Sequence, residues 1–84
     1  MTVLPLYGFV QGDTMGVVVL GKLDDTIAEL GANLLRAVGV RIGRQGPYQL
    51  RAGSRWLDSA ATLRSQAMEL LDRIDLVWDE GVSP

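Results

Sequence analysis

The sequence predicts an α+β domain, a mixed β-sheet with one helix packed on one face. Three observations predict it: apolar runs alternating with period two on both sides of Gly12-Asp13, a capped amphipathic stretch from Thr26, and another alternating run over residues 74–78. Gly12-Asp13 fits a two-residue hairpin turn. With the hairpin closed at Gln11 and Thr14, Leu4, Leu6, Gly8, Val10, Met15, Val17 and Val19 share one face, while Tyr7, Phe9, Val18 and Leu20 share the other. Both faces are therefore apolar. A small domain has one core and covers one face of its sheet, so the second face is expected to meet something from outside the domain.

Thr26 and Glu29 have the spacing of a capping box, and Asp25 is expected beside the positive end of the helix that Thr26 opens. Ile27, Leu30, Leu34 and Val38 recur at helical spacing and form the stripe laid on the hairpin, with Gly39 as the expected stop. Gly31 costs about 1 kcal/mol relative to alanine unless a close helix–sheet approach requires it. Gly43, Gly46 and Pro47 mark a loop, residues 48–51 alternate as a strand, Ala52-Gly53-Ser54 signals a turn, and residues 55–57 make a short strand. Residues 58–68 read either as continuous helix or as loop plus one helical turn near Thr62, and the second is the expectation. Ile74, Leu76 and Trp78 then alternate with Asp75, Val77 and Asp79 as a final strand whose inner face carries Trp78.

This ββαββ order, with a short helical turn before the last strand, makes a β-grasp in which the last strand lies parallel to the first at the centre of the sheet. Asp25-Thr26-Ile27, Ala52-Gly53, Leu57-Asp58, Thr62-Leu63 and Ile74-Asp75-Leu76-Val77 follow one another in the order of ubiquitin, which the chain resembles over nearly its whole length. Leu4-Pro5-Leu6, Asp13, Val17-Val18-Val19, Leu23-Asp24-Asp25-Thr26-Ile27, the basic stretch with Arg41, Arg44 and Gly46, and the closing Asp79-Glu80 resemble a narrower group more closely. That group is the small ubiquitin-like subunit (system protein B, the hydroxylase gamma subunit) of bacterial toluene-4-monooxygenase-type multicomponent oxygenases. The sequence departs from that pattern at Gly8, Gly16, Gly21, Gly31 and Gly39. The resemblance implies a non-catalytic accessory subunit that docks on the large hydroxylase subunit, to which the di-iron centre belongs.

Composition narrows the chemistry independently. The 84 residues leave room for a single domain, 1–84, with 48% hydrophobic and 21% charged residues, the balance of a folded chain. With neither Cys nor His, the chain has no thiolate nucleophile, no imidazole base and neither favoured zinc ligand type, so no catalytic, cofactor-binding or metal residue is expected. No apolar run approaches the roughly 20 residues of a membrane helix, and the opening residues lack the positive stretch of a signal peptide, which together predict a cytoplasmic protein with no membrane partner.

Five arginines (Arg36, Arg41, Arg44, Arg51, Arg55) fall between Leu30 and Leu57 without an acid, whereas six acids follow from Asp58 onward. A solvated surface and an asymmetric docking surface both fit that division. Arginines interleaved with Tyr48 and Trp56 also suit single-stranded nucleic acid, but the net charge of −2 and the acidic remainder argue against it. Gly43-Arg44-Gln45-Gly46 lacks the Lys-Ser/Thr of a phosphate loop, and Asp24-Asp25 suits helix capping better than metal binding. The expected partner interface is Tyr7, Phe9, Val18 and Leu20, joined by Arg41, Arg44 and Trp56, with Val77 on the same outward face. Self-association through that patch is the competing occupant, and a free-standing ubiquitin-like interaction module is the competing function.

Overall fold

The computed structural model describes residues 3–13, 15–42 and 46–79, with side chains at all of these except 39–42. Strands β1 (Val3–Val10) and β2 (Val17–Lys22) pair antiparallel, with Leu6 opposite Val19 and Tyr7 opposite Val18. This is the register that the alternation predicts. The closure differs. Asp13 N donates to Val10 O at 2.9 Å, so Gln11 and Gly12 are the central turn residues, and Gly12 has a φ of 97° that suits glycine.

Pairing with β2 ends at Gly8 and Val17, while the other edge of β1 pairs with strand β5 (Arg73–Trp78) from Tyr7 to Val10, with Phe9 opposite Asp75 and Val10 opposite Leu76. Met15 consequently leaves the face assigned to it and stands 60% exposed. The full sheet has the order β2-β1-β5-β3-β4, with β3 at Tyr48–Ala52 and β4 at Arg55–Trp56. As expected, β5 is central and parallel to β1.

Helix α1 (Ile27–Ile42) crosses one face of this sheet. Its start is the reciprocal cap read from the sequence: Thr26 N donates to Glu29 Oε1 at 3.0 Å, and Glu29 N donates to Thr26 Oγ1 at 3.1 Å. Asp25 instead caps the preceding turn, its Oδ2 accepting from Lys22 N, and Asp24 pairs with Arg64 at an exposed site where such pairs contribute little. The helix also runs past Gly39, since glycine permits a stop without enforcing one. Gly31 earns its place: a Cβ there would stand 2.7 Å from the Tyr48 ring.

The core lies between α1 and the sheet. Ile27, Leu30, Leu34 and Val38 meet Leu6, Val10, Val19, Leu50, Ile74, Leu76 and Trp78, all at most 5% exposed. Residues 58–68 close the end of this layer. Ile27 N donates to Ala61 O and Ala28 N to Ser59 O, satisfying two of the helix's free donors, while Leu63 plugs the core. The expected helical turn near Thr62 is there as a single Gln66 N to Thr62 O bond of 3.1 Å that does not propagate into a helix. Thr62 and Ser65 bond reciprocally, and Ala67 turns left-handed at a φ of 56°.

Burial raises the pKa of Tyr48, whose ring is packed edge-on to Trp78 at 6.1 Å. Because the folded value lies above the unfolded one, the folded state holds the proton more tightly. Stability from this group is intact below the unfolded value near 10 and is lost as pH rises through the folded value. Urea midpoints of the native chain should therefore fall more steeply above about pH 10 than those of Tyr48→Phe. Parallel curves would show that Tyr48 ionises alike in both states.

Candidate interaction face

The opposite face of the sheet carries no helix among the described residues, and the registers fix which side chains share it. Val18 and Leu20 of β2 lie opposite Tyr7 and Pro5 of β1, Tyr7 and Phe9 lie beside Arg73 and Asp75 of β5, Arg51 of β3 stands across from Asp75, and Trp56 of β4 across from Arg51. Four strand spacings separate the two edges, about 19 Å. Tyr7, Phe9, Val18 and Leu20 thus share one face, as the alternation predicts, and the register adds Trp56 to it. Val77 belongs to it too, beside Gln49.

The face has two apolar ends and a charged middle. At one end Tyr7 (43%), Val18 (53%) and Leu20 (62%) are exposed side by side; at the other, Trp56 is 51% exposed. Phe9 between them is held more tightly. Its ring stacks with Tyr7 at 6.5 Å and lies so close to Gly16 that a Cβ there would be 2.5 Å from it, while the Arg73 guanidinium covers it at 4.1 Å. Arg73 also grips Asp75, with Nη2 3.1 Å from Oδ1. Arg51 rather than the neighbouring Arg55 meets Trp56, its guanidinium 5.4 Å from the ring centre, because cross-strand pairing puts those two on one face.

Trp78, by contrast, is core. Arg41 falls in the last turn of α1, on the other layer of the domain, instead of in the post-helix loop; its side chain and all of Arg44 lie outside the described residues. Two further exposed apolar side chains lie in the segment before β5, where the sequence offered no site. Leu70 and Leu71 are 65% and 48% exposed, Leu71 in a left-handed conformation with φ 60°, and Leu71 N donates to Pro5 O. Their one sequence signal is a pair of leucines between Glu69 and Asp72, outside any periodic run.

No family model matches the sequence, and no curated protein matches it. Solved structures do. A chain of the toluene 4-monooxygenase HD complex with the inhibitor 4-bromobenzoate matches with a TM-score of 0.84 at 17% identity, over 93% of this chain and 100% of that one. A de novo design based on ubiquitin matches at 0.75 and 20% identity, over 98% and 96%. The chain has the ubiquitin-like β-grasp fold. A third β-grasp match, from a structure described as molecular mimicry of SUMO that promotes DNA repair, reaches 0.74 at 18% identity over 92% of each chain. No helix among the described residues is long and apolar enough to cross a membrane.

Proposed function

We propose that this β-grasp chain is a non-catalytic accessory subunit of a bacterial di-iron aromatic monooxygenase hydroxylase of the toluene type, docking on the large subunit through its outer sheet face. The observation that carries this reading is a second apolar face on a domain whose single core is already complete beneath α1. The likeness in fold to a chain of the toluene 4-monooxygenase complex supports the choice of partner. On this reading Tyr7, Phe9, Val18, Leu20 and Trp56 exclude water against the large subunit, and Arg44 fixes orientation by pairing with its carboxylates. The subunit works in the cytoplasm and supplies no group to the reaction.

Affinity purification of the tagged chain from its native host is expected to recover a large di-iron hydroxylase subunit in stoichiometric amount. A chain that stays monomeric at high concentration and recovers no hydroxylase subunit would overturn the reading. The likeness to a SUMO mimic favours one alternative, a free-standing ubiquitin-like interaction module of another complex. Gene neighbourhood separates the two: adjacent genes for a di-iron subunit, a ferredoxin and a reductase belong to the first alone.

A further inference from the structure

The charged middle of the outer face opens into a cleft of about 320 Å³, whose lining includes Phe9, Gln11, Arg51, Arg73, Asp75 and Val77. Its two arginines are in different states. Arg73 is committed, with Nε 3.3 Å from both oxygens of Asp75 and Nη2 3.1 Å from one of them. Asp75, 19% exposed at its side chain, is thereby neutralised from its own strand. Arg51 stands directly across from Asp75 in the sheet yet makes no ion pair among the described residues. Its Nε is buried and meets no hydrogen-bond acceptor among the described residues, while its guanidinium rests over Trp56.

The buried Nε is closed to an outside group, so a partner can meet this cation only through the two terminal nitrogens of the guanidinium. A planar guanidinium already oriented by an aromatic ring presents a fork that fits a carboxylate through two parallel bonds. We propose that Arg51 is a socket for one aspartate or glutamate side chain of the docking protein. This rests on the docking reading above and adds the partner's chemistry to it. The cleft is open and lies between the exposed Trp56 and the Tyr7–Leu20 patch, so a protein surface that covers both ends of the face delivers its carboxylate at the centre. Asp75 is answered by Arg73, and Asp13, which also lines the cleft, accepts from Met15 N, so Arg51 is the cation there that makes no ion pair among the described residues.

The test measures the affinity of the chain for the large subunit recovered from the host, for the native sequence and for Arg51→Met, Arg51→Lys and Leu20→Lys. Arg51→Met keeps the apolar stem and removes the unpaired donor, so the isolated chain should keep its urea midpoint. Its affinity should fall at least about thirtyfold with a shallower dependence on salt. Arg51→Lys, which keeps the charge but loses the fork, should recover only part of that loss. If Arg51→Met binds as the native chain does while Leu20→Lys does not bind, the socket is wrong and the docking face stands. If free acetate binds the isolated chain at Arg51 and the subunit affinity is indifferent to Arg51→Met, the socket serves a small anion, which also overturns the proposal. Recovery of no hydroxylase subunit would overturn the docking reading and the socket with it.

Discussion

Replacing Trp78 with alanine is expected to remove about 3–5 kcal/mol of stability, out of the roughly 4–13 kcal/mol that a domain of 84 residues commands. Trp78 is 3% exposed at the end of the central strand, packs against Tyr48, and ties the β1 turn to β5 twice. Its backbone N donates to Gln11 Oε1 at 2.8 Å and its Nε1 donates to Gln11 O at 3.0 Å. Alanine leaves a cavity between α1 and the sheet and strands the Gln11 carbonyl. Urea denaturation should show a collapsed midpoint or no cooperative transition. Trp78→Phe keeps most of the ring and loses the Nε1 bond, so a smaller loss of about 1–2 kcal/mol is expected. A loss below about 1 kcal/mol for the alanine variant would remove Trp78 from the core.

The second large effect is on binding. Tyr7→Lys combined with Leu20→Lys places two charges in the most exposed part of the outer face, where both side chains are already in water in the isolated chain. The urea midpoint should move little, by less than about 1 kcal/mol in stability. Affinity for the large subunit should fall at least about a hundredfold, because desolvating two ammonium groups in an apolar contact opposes docking and a tyrosine anchor is lost. Isothermal titration against the purified large subunit measures it. An unchanged affinity would mean that the outer sheet face is not the contact.

Much of the fold was legible because it is written locally. The Tyr7–Val18 register follows from strict alternation, and the Thr26–Glu29 cap and the Ile27–Val38 stripe follow from fixed helical spacings. What escaped is not written in local spacing. Met15 left its predicted face because the ladder between β1 and β2 stops at Gly8 and Val17, short of the turn, so alternation no longer governs the residues before Val17. Gly39 was read as a stop, although glycine permits a helix to end without requiring it, and α1 runs on to Ile42.

The same division runs through the candidate site. Tyr7, Val18 and Leu20 were found by period two, and Trp56 by its composition as an aromatic beside arginine. Its actual partner, Arg51, was missed because cross-strand pairing is set by the β3–β4 turn and not by sequence adjacency. Leu70 and Leu71 sit in an irregular segment where periodicity says nothing, and both are exposed while Leu71 N is anchored on the Pro5 carbonyl.

Hydroxyl-radical footprinting of side chains, on the chain alone and in the complex purified from its host, tests the docking face most directly. Tyr7, Phe9, Leu20 and Trp56 should be labelled in the free chain and protected in the complex, while Leu35 on α1 should be labelled equally in both. Protection confined to the helix layer, with Tyr7, Leu20 and Trp56 labelled as in the free chain, would contradict the account.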